Sequence, residues 1–296
     1  MTRAGFVALA GRPNVGKSTL TNAIVGAKVA IVSDRPQTTR RAIRGVATGS
    51  DWQLVLVDLP GVQRPRDALT ERMSSAVARE LADADAVLFV LNGDERIGAG
   101  DRRIAAQLAA VETPVTVAVN KVDRLTRERE AQALLDAAAI APERAELFPV
   151  SARTGAGVRA LVDHLAGALP ESPFLYEREQ RSDLGQLELF AELIREQVLR
   201  RTFQELPHAI GVVVEELERD ERNAALTRVA ALVWVETDSQ KAIVVGHGGH
   251  MIKAIGTAAR RELERELGGR VYLTLNVRVR RRWRTDEALL DRLGIE

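Results

Sequence analysis

The apolar residues of this chain fall in short runs separated by turn formers, and the runs show two different periods. Phe6 to Ala10 is a continuous apolar stretch, and Lys17 to Val25 is compatible with a helix. Ala42 to Thr48 and Trp52 to Val57 alternate or run apolar and read as strands, joined by a Gly49-Ser50-Asp51 turn. Ala86 to Leu91 and Val115 to Val119 are near-continuous apolar runs, the pattern of parallel strands buried on both faces. Leu147 to Val150 reads as a further short strand, and Gly157 to Leu169 as a closing helix.

A second pattern follows Leu169-Pro-Glu-Ser-Pro173, where two prolines among polar residues mark a junction. From Leu184 to Leu206 the apolar positions Leu187, Phe190, Leu193, Ile194, Val198 and Leu199 keep helical spacing. Ile210 to Val214, Val229 to Val235 and Val271 to Val279 read as strands. Between the last two, a short helix, a glycine-rich turn and a second helix are expected. The pattern therefore predicts an α/β domain over 1–170 with a mostly parallel sheet and helices on both faces. A linker over 171–182 and an α+β domain with a C-terminal tail over 183–296 follow.

Composition changes this picture little. Of 296 residues, 46% are hydrophobic and 28% charged, which is ordinary for a globular chain. The absence of cysteine excludes disulfides and thiolate metal sites, and fits the cytoplasm. No secretory signal is expected, and no apolar run approaches the roughly 18 residues a membrane span needs. Charge says more. The net +1 splits into +3 over 1–170, −7 over 171–240, +8 over 241–284 and −3 over the last twelve residues. A +8 segment suggests a polyanionic partner. Five of the 42 cationic residues are lysines, and Lys17, Lys121 and Lys253 fall within the motifs below.

Gly11, Arg12, Pro13, Asn14, Val15, Gly16, Lys17, Ser18 and Thr19 spell G-x-x-x-x-G-K-S-T between the first strand and the first helix. Two glycines let backbone N–H groups wrap a phosphate, and the helix start adds the positive end of its dipole. Lys17 can reach the β- and γ-phosphates, and the Ser18 hydroxyl can hold Mg²⁺. The competing reading is a plain glycine turn. Lys28 to Arg44 lacks periodicity and reads as a mobile loop. A loop that senses the γ-phosphate needs a hydroxyl for the metal, and Thr38 and Thr39 are the candidates, with Thr39 favoured. Asp58, Leu59, Pro60 and Gly61 then give D-x-P-G at a strand end. This suits a metal-side carboxylate and a glycine N–H for the γ-phosphate. Val62 follows, where Ras-like proteins use glutamine to orient water. Arg64 and Arg66 lie nearby and read as surface charge ahead of a catalytic role.

Asn120, Lys121, Val122 and Asp123 sit at the carboxyl end of a predicted strand, where open α/β sheets bind ligands. An aspartate there can accept from both the N1–H and N2–H of guanine, a pair adenine lacks, and the Lys121 stem can lie along the purine. Ser151, Ala152 and Arg153 follow the next strand. In the +8 segment, Gly246, His247, Gly248 and Gly249 form G-x-x-G, with Lys253 one turn on. Glycines let a nucleic-acid backbone approach, and the following helix start faces phosphate. Arg280, Arg281, Arg282, Trp283 and Arg284 can pair with phosphate and stack on a base; the alternative packs Trp283 on the domain. His247 and His250 could stack or hydrogen-bond with bases, but more often such histidines are plain surface residues.

These motifs, in this order, resemble the translation-factor-related GTPases. Gln37-Thr38-Thr39-Arg40, Asp58-Leu-Pro-Gly61 and the hydrophobic Val62 resemble the Era branch, and the likeness runs from Phe6 to about Gly294. The resemblance implies a P-loop GTPase domain followed by a type II KH domain. It also implies GTP/GDP and Mg²⁺ as ligands, Ser-Ala backbone contact with guanine O6, and Asn14 as a ligand for K⁺. The partner it implies is RNA near the 3′ end of small-subunit ribosomal RNA, during small-subunit assembly. The protein would be cytoplasmic, with peripheral contact to the inner face of the membrane, and monomeric off the ribosome. The family's loop is often richer in lysine than Gly246-His-Gly-Gly249. Two other readings stand beside this one. A nucleotide-gated RNA-binding module with negligible intrinsic catalysis is motivated by Val62. A P-loop ATPase or kinase is opposed by Asn120 to Asp123.

Overall fold

A computed structural model describes residues 1–33, 38–60, 67–202, 209–220, 223 and 225–295. By its contacts the chain forms two compact units. Over their described residues, the first comprises Met1–Ala30, Thr39–Arg64 and Met73–Asp183, and the second Ile31–Thr38, Pro65–Arg72 and Leu184–Glu296.

The first unit is built on a six-stranded sheet of order β2-β3-β1-β4-β5-β6. Its strands are β1 (Arg3–Ala10), β2 (Ile43–Thr48), β3 (Trp52–Asp58), β4 (Ala86–Asn92), β5 (Val115–Asn120) and β6 (Glu146–Pro149). Only the hairpin partner β2 runs antiparallel; the other pairings are parallel. The helices are α1 (Lys17–Val25), the 73–82 part of α2 (Ala68–Ala82), α3 (Ala99–Leu108), α4 (Arg127–Ala138) and α5 (Val158–Ala168). The period-2 alternation of side chains sorts the strands onto two faces. Leu88 and Val90 join Leu20 of α1 and Leu161 and Leu165 of α5 in one core cluster. Val87, Phe89 and Leu91 join Ile104 and Leu108 of α3 in another. Each such fully buried Leu or Val contributes about 2 kcal/mol.

The segment after α5 lies along this unit. Arg3 bridges to Glu171 and Gly45 to Ser182. Gln53, wholly buried in β3, accepts from the Leu175 and Tyr176 N–H groups at 2.8 and 2.9 Å and donates to the Tyr176 carbonyl at 3.0 Å. A buried amide satisfied on both ends in this way holds the irregular chain as a further strand would.

The second unit has a three-stranded sheet of order β7-β8-β9. Here β7 (Gly211–Arg219) is antiparallel to β8 (Leu226–Val235), which is parallel to β9 (Arg270–Val279). A parallel pair needs a crossover, supplied by α7 (Asp238–Val245), the glycine turn and α8 (His250–Leu267). Phe190, Leu193, Ile194 and Val198 of α6 (Gln186–Arg201) meet Val244, Ile255, Ala259 and Leu263 over the sheet's inner side. The final helix, α9 (Glu287–Arg292), starts on an Asp286 cap that accepts from the Leu289 N–H at 3.1 Å.

Candidate functional site

Residues 11–16 connect β1 to α1, and their backbone explains their composition. Gly16 caps α1 at φ 102°, and a Cβ there would stand 2.3 Å from Asn120 Nδ2. Glycine is required both for the dihedral and for the close approach. Asn14 takes φ 66°, a left-handed conformation asparagine tolerates better than most residues, and its carbonyl accepts from Lys121 Nζ at 2.8 Å. Lys17 is buried, and its Nζ donates to the Gly11 and Arg12 carbonyls at 3.1 and 3.2 Å. Burial lowers its pKa, and the nearby Asp58 carboxylate opposes that shift.

The three predicted metal ligands converge. Ser18 Oγ donates to Asp58 Oδ2 at 2.6 Å and lies 3.1 Å from Thr39 Oγ1, which reaches the same carboxylate oxygen at 3.3 Å. Of the two threonines it is Thr39 that joins the cluster; Thr38 donates to the Ser33 carbonyl at 3.4 Å, and its own carbonyl accepts from Arg195. Asp58 is fully buried, which pushes its pKa up against the pull of Lys17. Its Oδ1 is buried with no hydrogen-bond partner among the described residues. A buried carboxylate oxygen left unpaired is costly unless a cation or donor meets it. Two hydroxyls and that oxygen form an all-oxygen set that suits Mg²⁺. Leu59 and Pro60 are buried beside it. Gly61 and Val62, with Arg64 and Arg66, lie outside the described residues.

The base end is tied together by Asn120. Its Nδ2 donates to the Val15 carbonyl at 3.0 Å, and its Oδ1 accepts from the Lys121 N–H at 2.8 Å and the Ala152 N–H at 3.0 Å. One buried amide thus joins residues 11–16 to the loops that follow β5 and β6. The Ala152 N–H, expected to meet guanine O6, is engaged by Asn120, so an O6 contact there would be shared. Asp123 accepts from Ser151 Oγ at 2.7 Å and pairs with Arg153 at 2.7 Å. The Ser151 hydrogen bond, then the Arg153 charge, hold its carboxyl below the usual range. Val122 sits half-buried between Lys121 and Asp123. Among the described residues no cluster of three His, Cys, Asp or Glu offers an alternative metal centre.

In the second unit, α7 is capped at Thr237, whose Oγ1 accepts from the Gln240 N–H at 3.2 Å. It ends at Gly246, where φ is 74° and a Cβ would stand 2.8 Å from the Met251 N atom. Gly248 and Gly249 also take positive φ, 57° and 79°. Gly249 caps α8, and Lys253 is exposed in its first turn. Arg280, Arg281 and Arg282 are exposed as expected. Trp283 is a correction: it is 0% exposed and donates to the Ala209 carbonyl at 2.9 Å, so it packs on the domain and cannot stack on a base. Arg284 is committed within its own unit, to Glu236 at 3.2 Å and Asp67 at 3.3 Å.

Sequence reasoning missed the junction role of the Asn120 amide and the bracing by Gln53. Neither carries a pattern; both are buried polar residues at strand positions, which is the available signal.

Residues 6–121 match the 50S ribosome-binding GTPase family, and 205–284 match the KH domain. GTPase Era of Mycobacterium avium (strain 104) is 46% identical over 294 residues, covering 99% of this chain and 98% of the relative. GTPase Era of Mycobacterium tuberculosis (strain ATCC 25177 / H37Ra) is also 46% identical, covering 98% of each. A crystal structure of Era with MgGDPNP and nucleotides 1506–1542 of 16S ribosomal RNA superposes with TM-score 0.95 at 32% identity, over 100% of this chain and 99% of that one. A variant of Aquifex aeolicus Era bound to GDP and tetrafluoroaluminate gives TM-score 0.94 at 32% identity over 99% of each chain. With relatives matched end to end at 46% identity, this chain belongs to the Era family of GTPases.

Proposed function

We propose that the chain is a GTP-driven switch that binds the 3′ region of small-subunit ribosomal RNA and acts in assembly of the small ribosomal subunit. One observation supports this above the others. The same chain holds a guanine-nucleotide site whose Ser18, Thr39 and Asp58 converge within 3.3 Å and a G-x-x-G turn inside a +8 segment. The related structure that carries both a GTP analogue and 16S ribosomal RNA supports the same pairing.

In this reading Asp123 accepts from the guanine edge, the Lys121 stem lies along the purine, and Lys17 exchanges two backbone carbonyls for phosphate oxygens. Ser18, Thr39 and Asp58 would hold Mg²⁺, which neutralises charge between the β- and γ-phosphates. Asn14 stands ready as a K⁺ ligand on family grounds. Thr39 ties the loop before β2 to the third phosphate, so loss of that phosphate releases it. The division that fits is a GTPase domain over 1–170, a connecting segment over 171–182 and an RNA-binding domain over 183–296. Gly246 to Gly249, Lys253 and Arg280 to Arg282 take the RNA backbone. No helix among the described residues is long and apolar enough to cross a membrane. We place the protein in the cytoplasm, with any membrane contact peripheral.

Titrating a 3′-terminal fragment of small-subunit ribosomal RNA with and without a GTP analogue tests the switch, because coupling between two ligands is reciprocal. Tighter RNA binding with the analogue is expected; equal affinities overturn it. Val62 favours a second reading, in which hydrolysis merely resets a nucleotide-gated module. Single-turnover hydrolysis on saturating RNA separates the two, since acceleration is expected only of the first.

A further inference from the structure

A charged cluster behind the phosphate loop is used by none of the contacts above. Arg12 donates through Nε to Asp101 Oδ1 at 2.8 Å and through Nη2 to Glu95 Oε2 at 3.0 Å. Asp101 lies in the first turn of α3 yet is 1% exposed, and its other oxygen accepts the Gly98 N–H at 2.9 Å. Glu95 is held in turn by Asn92 Nδ2 at 2.7 Å. Gly100 backs onto the arginine stem, where a Cβ would stand 2.7 Å from Arg12 Cδ. A buried carboxylate is tolerated when it is both paired and hydrogen-bonded, and here both conditions are met.

The backbone of Arg12 matters to the site, because its carbonyl and that of Gly11 are the two acceptors of Lys17 Nζ. We propose that Asp101 is a positioning residue for nucleotide binding, acting through Arg12 to fix the first peptides of the phosphate loop. Those peptides set where Lys17 rests and which way the loop N–H groups face. The burial of Asp101 and the seat of Arg12 against Gly100 are consequences of that clamp. The competing role is a helix cap alone, since Asp101 also bonds the Gly98 N–H. This inference rests on guanine-nucleotide binding and is independent of the RNA reading.

The test is the dissociation rate of a fluorescent GDP analogue from the full chain, with thermal unfolding measured in parallel. Asp101→Asn keeps an acceptor for the Gly98 N–H but removes the charge that holds Arg12. It should speed GDP release about tenfold, and Arg12→Ala should do the same, with the double variant no faster than the worse single. Arg12→Lys should recover part of the loss. A lower melting temperature for Asp101→Asn with an unchanged release rate overturns the proposal in favour of the cap. Multiplicative effects in the double variant overturn it as well.

Discussion

Lys17, Asp58, Asn120 and Ser151 are all buried, and each directs polar atoms at other residues of the nucleotide site. His247, Gly248, Lys253 and Arg281 are exposed, and the Gly246–Gly249 turn is shaped by three positive-φ glycines. On the proposed function both surfaces would meet phosphate, and the difference is one of preparation. The first holds its donors and acceptors in place before ligand arrives, as a site that must distinguish one base and one phosphate requires. The second keeps its charge hydrated and offers backbone, as sequence-tolerant binding of a flexible polyanion allows. Substitutions in the first should therefore change which ligand is bound, and substitutions in the second how much of it is bound.

The largest effect should come at Asp123. Asp123→Asn exchanges an acceptor pair for a donor and an acceptor, which suits xanthine. We expect GTP affinity to fall on the order of 10⁴-fold, with xanthosine triphosphate bound in its place. Competition among GTP, XTP and ATP measures this. Undiminished ATP hydrolysis in the variant would remove the guanine-specific reading. Next is Gly249→Asp. Among the described residues nothing lies within 4 Å of the added Cβ, so the unit should fold, but φ is 79°, and on the proposed function the new charge would face the RNA backbone. RNA binding should weaken about a hundredfold with GTP binding intact. Loss of both would indicate misfolding.

Trp283 and Arg281 sharpen the contrast inside the second unit. Trp283→Leu leaves a void and frees the Ala209 carbonyl, and should cost about 3 kcal/mol of stability. Below its melting temperature the variant should bind RNA nearly as well as the parent. Arg281→Ala should leave stability alone and reduce the salt dependence of RNA affinity by about 0.7 in log–log slope. Equal salt slopes for the two proteins would take Arg281 out of the interface.

These cases also show where the sequence was legible. The apolar runs Ala86 to Leu91 and Val115 to Val119 became β4 and β5 because a parallel strand covered on both faces is mostly apolar; the buried polar Thr116 in β5 is satisfied by His164. The glycine motifs read well because their dihedrals and close approaches admit no substitute. The helices α2, α3 and α4 carry none of the motifs and were not read from the sequence, although α3 buries Ile104, Ala105 and Leu108. Trp283 beside four arginines has the composition of a stacking platform, and only three-dimensional packing shows the ring turned inward. Gln53 and Asp101 were silent for the same reason, since their partners lie 122 residues or 89 residues away along the chain.

The smallest effect tests the base end itself. Asp123 is held below the usual carboxylate range chiefly by Ser151, and by Arg153 second. On the proposed function its ionised form accepts from guanine, so GTP binding should be full above the folded pKa and be lost as pH falls through it. Ser151→Ala removes the larger influence, so the acid-side loss of GTP affinity should begin at higher pH than in the parent. Arg153→Ala should shift the profile the same way but less. The Arg153 side chain is 71% exposed, and an exposed ion pair is worth about 1 kcal/mol at most. At neutral pH its GTP affinity should stay within about threefold of the parent. Affinity measured across the acid range for all three proteins decides the order. A larger shift for Arg153→Ala than for Ser151→Ala would mean that an exposed charge, and not the buried hydroxyl, prepares the base-reading carboxylate. The distinction drawn between the two phosphate-binding surfaces would then fail at its most buried end.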